Sequence, residues 1–426
     1  MTIVIFLGSL LLAMAIGMPI AFSLLASGVA LMWHMDLFDA QILEQNLIRG
    51  ADSFPLLAVP FFMLAGEIMN AGGLSRRIVN LALALVGHVK GGLGYVTIMA
   101  GCLLSALSGS AVADAAALTA LLLPMMVKAG HKKTQAGGLI ASVSVIGPVI
   151  PPSIGLVIFG VAANVSISKL FLAAIVPGLL IGATLWLTWA WLVRRESISP
   201  PPRKSLAEVG KAFREATWAL MLPIIILVGL RMGVFTPTEA AVVAAVYALS
   251  VSLFIYRELK LRDLYAVFVA SARTSAVVMF LIAAAMVSSW LITVADLPGA
   301  VVSLLEPLLD SPILLMTMIM LLVIAVGTAM DMTPTILILT PVLMPVVNAA
   351  GIDPVYFGVM FIINNAIGLV TPPVGAVLNV VAGVGRMRMD DVMRGVVPFM
   401  LAEFAVMFLM VLFPWLVTAP ARFLYG

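Results

Sequence analysis

LLSALSGSAVADAAALTALLLPMM, residues 103–126, finds an echo in LLVIAVGTAMDMTPTILILTPVLMP, residues 321–345. Downstream of each copy a double proline sits inside apolar sequence: IGPVIPPSIG from Ile146 and IGLVTPPVGA from Ile367. Gly109 pairs with Gly327, Asp114 with Asp331, and Pro151-Pro152 with Pro372-Pro373. Upstream the register holds, with Pro19 opposite Pro237 and Ser53 opposite Ser271. Two halves with helix breaks at matching places form the pattern expected of a secondary transporter.

Composition supports the same class. The chain is 63% hydrophobic and 10% charged, and its mean hydropathy is +1.19. No soluble domain hides that much apolar surface, so the sequence predicts a polytopic all-α membrane protein. The net charge of +3 does not argue for nucleic acid, because it reflects loops on one side of a bilayer. The one cysteine, Cys102, cannot form an intrachain disulfide. The N-terminus lacks a basic leader region and reads as a first membrane segment instead of a cleaved signal.

Apolar segments fall near 2–16, 18–33, 53–70, 134–163, 169–193, 217–231, 236–256, 272–295, 355–383 and 395–420. The first two and 217–231 are short for a hydrocarbon core that needs about 20 helical residues. Residues 93–128 and 311–347 are too long for one crossing and carry Ser, Gly, Thr and Asp at their middle. Each is expected to form a re-entrant helical hairpin. Residues 134–163 and 355–383 are expected to be unwound at their prolines. The domain reading is a first repeat over 1–194, a linker and arm over 195–216, and a second repeat over 217–426. Amphipathic pieces at 74–88, 205–216 and 258–270 are expected to lie along the cytoplasmic surface as arms.

Ten crossings, five per repeat, with an external N-terminus, put the basic residues on one side. Arg76, Arg77, Lys90, Lys128, Lys132, Lys133, Arg194 and Arg195 become cytoplasmic, with those of 203–214, 257–262 and 386–394. Only Arg49, Lys169, Arg231 and Arg422 become external, as the positive-inside rule demands. An odd number of crossings per repeat inverts the second half. Both termini are then expected on the periplasmic side of a bacterial inner membrane. Trp33, Trp186, Trp189, Trp191 and Trp415 fall near expected span ends, where aromatic belts lie, and the 27 methionines read as filler.

The polar breaks carry the chemistry. An unpaired backbone group in hydrocarbon costs several kcal/mol, so the tip Ser108-Gly109-Ser110, with Asp114 a turn later, needs replacement partners. A small hard cation ligated by freed carbonyls and hydroxyls supplies them. The partner segment is IGPVIPPS, whose prolines free the carbonyls of Gly147 and Val149. The second half repeats this with Gly327, Thr328, Asp331, Thr333 and Thr335 against Gly368, Val370, Thr371 and Pro372. Two such sites suggest two Na+ ions flanking one substrate. The plainer alternative is that these residues kink and pack helices.

Individual side chains keep two readings open. Asp114 and Asp331 either ligate a cation or cap the second hairpin arm. Asn364, Asn365 and Asn379 either meet substrate or tie helices together. Arg273 either meets an anion or snorkels to the surface. Glu67 and Glu239 read as structural, in caps or interhelical pairs. SGSAVAD resembles a nucleophilic serine setting, but an intramembrane serine hydrolase needs a base. His34, His88 and His131 all fall in loops or at span ends. A passive channel with re-entrant hairpins is the other rival.

FTPTEAA, SGSAVAD, IPPS, IGLVTPPVG, ADSFPLLAVPFFMLAGEIMNAGGLS and GIDPVYFGVMFIIN together resemble the large membrane subunit of tripartite ATP-independent periplasmic (TRAP) transporters. These are the DctM-like permeases, and the resemblance covers essentially the whole chain. It looks closest to the branch associated with sugar acids such as 2,3-diketogulonate. The resemblance implies an elevator-type Na+ symporter working with two partners. One is a DctQ-like small membrane subunit of about four spans; the other is a DctP-like periplasmic protein that delivers an organic acid. It carries sodium-site roles to Ser108, Asp114, Gly147, Val149 and Pro152, and to Gly327, Asp331, Gly368 and Thr371. Substrate contacts are implied near Ser110, Ser153 and Thr333. Ala366 and Val377 stand where several members carry Glu and Asn, which bears on substrate identity.

Overall fold

A computed structural model describes residues 2–194, 202–328, 330–372 and 375–425. Residues 195–201 of the expected linker and Pro373 of the second double proline lie outside the described residues. Every regular element among the described residues is helical.

The first half opens with α1 (Thr2–Ala15) and α2 (Ile20–His34), which pack on each other. Next come α3 (Ala40–Ala51), α4 (Ala58–Ala71) entered through a tight turn at Phe54–Leu57, and α5 (Leu74–Val86). The first hairpin is α6 (Gly92–Ser108) and α7 (Ala111–Lys128); the first broken helix is α8 (Lys133–Ser144) and α9 (Ile154–Ala162). Helix α10 (Ile167–Val193) closes the half.

The second half repeats the plan. Helices α11 (Leu206–Arg231) and α12 (Pro237–Ser250), the latter ending in a widened turn at Val251–Ile255, answer α1 and α2. Helix α13 (Leu261–Val294) answers α3 plus α4, and α14 (Leu297–Leu309) answers α5. The second hairpin is α15 (Pro312–Gly327) and α16 (Met332–Ala349), the second broken helix α17 (Pro354–Gly368) and α18 (Ala376–Gly385). Helix α19 (Met389–Leu412) answers α10, and α20 (Trp415–Tyr425) is added at the end. Among the described residues, 8 helices are long and apolar enough to cross a membrane. The hairpin arms α6 and α15, the broken-helix halves α17 and α18, and α1, α2 and α14 are apolar but shorter.

Two sets of helices can be distinguished, joined where α13 and α14 pack on α16 and α5 packs on α6. In the outer group α4 packs on α12, and α13 packs on α2 and α3. In the inner group α19 packs on α8, α10 on α6 and α19, and α17 on α15 and α16. Residues 136–160 and 355–371 are buried without interruption, so both broken helices, breaks included, run through the centre. Burying polar backbone there is tolerated only where it is re-satisfied or lines a cavity.

Four expectations are corrected. The arm expected over 205–216 is the first part of α11, so the 216/217 boundary falls inside one helix. Ser205 and Glu208 form a reciprocal cap at its start, and no proline precedes Pro223 within the helix. At ~1.5 Å per residue, the extra turns turn a span that looked short into a long one. The arm expected over 258–270 is likewise continuous with its span in α13, because nothing in LRDLYAVFVASARTS interrupts a helix. The span expected over 395–420 divides at Phe413, whose backbone (φ −123, ψ 72) has left the helical region, which a residue before a proline disfavours. Trp189 is not interfacial: it is buried, stacks on Phe399 at 6.4 Å and donates its Nε1 hydrogen to the Gly91 carbonyl at 2.9 Å. Trp33, Trp191 and Trp415 are exposed as expected. The short helices α3 and α14 were not expected at all.

Candidate functional site

The tip of the first hairpin turns on Gly109, whose φ of +61 is the left-handed region that suits glycine. A β-carbon there would lie 2.5 Å from the Pro152 carbonyl oxygen and 3.3 Å from Ser153 Cα. The hairpin tip therefore presses its backbone against the break between α8 and α9. Gly147 makes the reciprocal approach: a β-carbon would meet Asp114 Oδ2 at 2.8 Å and the Ala111 nitrogen at 3.0 Å. Ser108, Gly109, Ser110, Asp114, Gly147, Pro152 and Ser153 thus form one cluster, as the sequence pairing anticipated.

Hydrogen bonds within the cluster separate the roles left open. Ser110, not Asp114, caps α7, its hydroxyl accepting from the Ala113 nitrogen at 3.4 Å. Asp114 is buried and accepts from the Ser108 hydroxyl at 2.6 Å and the Ser105 hydroxyl at 3.4 Å. Ser153 caps α9, accepting from the Leu156 nitrogen at 3.2 Å while donating to the Pro148 carbonyl. Among the described residues, the carbonyls of Gly147 and Val149 accept no hydrogen bond, although both residues are buried. A buried carboxylate beside a hydroxyl, facing a break that leaves two carbonyls unpartnered, is a hard, all-oxygen donor set. It suits a small cation such as Na+.

The second half is built differently around the same crossing. Gly327 and Gly368 meet backbone to backbone, a β-carbon on Gly368 lying 3.2 Å from Gly327 Cα. Thr371 is buried but donates to the Ile367 carbonyl at 2.8 Å, and Thr328 donates to Ala325 at 2.8 Å. Asp331 is exposed and stands at the cap position of α16 without a side-chain cap bond. Thr333 follows in the first turn, partly buried, and the buried Thr335 donates to the Asp331 carbonyl at 2.9 Å. The two aspartates that the sequence made equivalent are therefore not so: Asp114 is enclosed, Asp331 open.

Asn364 ties helices, donating to the Met320 carbonyl of α15 at 2.7 Å. Asn365 donates to Phe361 at 2.8 Å and leaves its buried Oδ1 without a partner. Glu239 forms the expected cap with Thr236.

A cavity of about 280 Å³ lies between the first hairpin tip and the outer group. Ser108, Ser110 and Ile154 line one wall; Glu67 and Asn70 of α4 and Ser271 and Thr274 of α13 line the other. Arg273 is exposed and absent from that lining. On a helix of 3.6 residues per turn, a residue two beyond Ser271 points to the far side. Glu67, expected to be structural, instead faces the cavity. Its position relative to SGS is a matter of tertiary packing, with no local sequence signal.

A duplicated helical membrane protein with a buried, oxygen-lined break facing a hairpin tip belongs to the secondary-transporter class. The family described as "Tripartite ATP-independent periplasmic transporter, DctM component" matches residues 7–416, and the chain belongs to it. It is 55% identical over 424 residues, all of both chains, to the 2,3-diketo-L-gulonate TRAP transporter large permease protein YiaN of Escherichia coli. It is 40% identical over 398 residues, 93% of each chain, to the sialic acid TRAP transporter large permease protein SiaM of Vibrio cholerae. The crystal structure of the Alcanivorax borkumensis YdaH transporter shares the fold, with TM-score 0.65 and 17% identity over 89% of this chain and 91% of that one. The chain is therefore a TRAP transporter large permease, a transporter and not an enzyme.

Proposed function

We propose that this permease imports an organic acid, foremost a sugar acid, by coupling it to Na+ and carrying it across the membrane in an elevator movement of the inner helix group. The observation that carries the reading is the first-half cluster. Asp114, the Ser108 hydroxyl and the free carbonyls of Gly147 and Val149 offer a cation the oxygens that a buried break otherwise leaves bare. Ser108, Asp114, Gly147, Val149 and Pro152 would hold one Na+; Gly327, Thr328, Asp331, Gly368 and Thr371 would hold a second. Filling the first position ties hairpin tip to broken helix and so shapes the cavity at Ser110 and Ile154, with the buried Ser153 directly behind Ile154 in the chain. The N-termini of α7 and α9 both end at that cavity, and helix N-termini favour anions. Thr333 and Asn365 would serve the acid from the second half, and Arg273 would act only if the inner group moved relative to α13.

The 55% identity to a 2,3-diketo-L-gulonate permease supports a sugar acid as cargo. A separate DctQ-like membrane subunit and a DctP-like binding protein on the periplasmic side would complete the system, with both termini of this chain on that side of the inner membrane. The test is uptake by proteoliposomes holding both membrane subunits, with binding protein and labelled sugar acid outside. Uptake is expected only under an inward Na+ gradient. Equal uptake with K+ replacing Na+ would defeat the coupling.

A further inference from the structure

The cavity beside the first hairpin has two unlike walls. One is formed by the N-terminal ends of α7 and α9, through Ser110 and Ile154. The other carries Glu67, Asn70, Ser271 and Thr274. Glu67 is the one charged residue in the lining, is half-buried, and has no ion pair or hydrogen bond among the described residues. It stands next to a contact between the two groups, since a β-carbon on Gly66 would lie 3.8 Å from Ser108 Cα. An unpaired carboxylate in a cavity of about 280 Å³, near the lower end of small-molecule sites (roughly 300 Å³), must act on whatever enters.

The geometry points to Glu67 as a specificity-determining residue that admits polyhydroxylated monocarboxylates and rejects dicarboxylates; this inference rests on the organic-acid reading above. A carboxylate ligand is repelled from Glu67 and drawn to the helix N-termini across the cavity. That fixes its orientation, with the acid end at Ser110 and the rest of the molecule against α4 and α13. Hydroxyls presented there donate to the Glu67 carboxylate as charge-assisted hydrogen bonds and exchange hydrogen bonds with Asn70, Ser271 and Thr274. A second carboxylate presented there meets a like charge and offers no donor. The discrimination thus combines an attractive contact with a repulsive one.

The test uses both membrane subunits together in Na+-containing proteoliposomes, without binding protein, so that the binding protein's own selectivity does not intervene. Ala116, in the cavity lining, is replaced in a Cys102→Ala background by Ala116→Cys, and labelling by a water-soluble maleimide is timed. D-gluconate is expected to slow labelling at a concentration at least roughly tenfold lower than succinate does. Glu67→Gln and Glu67→Ala should both close that gap to about twofold, and Glu67→Asp should keep it. An unchanged gap in Glu67→Gln and Glu67→Ala overturns the inference and leaves the transport reading intact. If neither acid slows labelling of the parent protein, the cavity is not the path of the acid, and the reading and the inference fall together.

Discussion

Gly138 of α8 and Gly395 of α19 lie backbone against backbone, so that a β-carbon on either would overlap the main chain of the other helix. This crossing lets α19 press along the whole of the first half of the broken helix. Close approach through small residues is how helices associate where lipid gives no hydrophobic drive.

Gly138→Ala or Gly395→Ala is expected to destabilise the protein by about 1–3 kcal/mol, the cost of forcing a methyl group into a packed interior. Thermal unfolding of the purified protein in detergent measures it. A melting temperature equal to that of the parent would show that the crossing has slack.

Ser108→Ala removes the 2.6 Å hydrogen bond to the buried Asp114 carboxylate. A hydrogen bond to a charged group contributes about 1.5–3 kcal/mol, so the Na+ concentration giving half-maximal uptake should rise roughly tenfold or more. Uptake with an unaltered Na+ dependence would remove Ser108 from the cation site.

A disulfide between Gly66→Cys and Ser108→Cys, in a Cys102→Ala background, joins the outer group to the hairpin tip at their point of contact. Under the elevator proposal the bridged protein should carry nothing, and a reductant should restore uptake at saturating Na+, which offsets the cation site weakened by Ser108→Cys. Transport by fully bridged protein would mean that the two groups do not slide past each other.

Arg76 and Arg77 both pair with Glu258, each at 2.7 Å, and Arg77 also lies 3.7 Å above the Tyr256 ring. Because Arg76 is 60% exposed and Glu258 27%, solvent weakens the pair. Glu258→Ala is expected to lower stability by no more than ~1 kcal/mol. The loss should shrink in high salt, which thermal unfolding across an ionic-strength series would reveal.

Much of this architecture is legible in the chain because its punctuation is chemical. Ser108-Gly109-Ser110 announces a tip, Pro151-Pro152 a break, and the doubling of both announces the repeat. What could not be read is whether neighbouring helices fuse. Nothing in residues 205–231 marks where a surface helix would end and a span begin, and the structure supplies no such boundary. The helix α3 escaped because its composition is mixed, and α14 because at 13 residues it is too short to register as a span. Asp114 and Asp331 look alike in sequence, and only packing makes one enclosed and the other open. Glu67 reads as a structural acid until α4 is seen facing the hairpin.

The duplicated halves also part company at Ser53. In the first half a turn containing Pro55 separates α3 from α4; in the second, α13 runs through the equivalent place unbroken. Freed from α4, α3 folds back onto α13 so tightly that a β-carbon on Gly50 would lie 2.8 Å from Ala283 Cα. One copy of the ancestral unit has become a jointed brace strapped across the straight beam of the other. Replacing the first half with a copy of the second would therefore yield two beams and no cross-member, and the opposite graft two cross-members with no beam to strap.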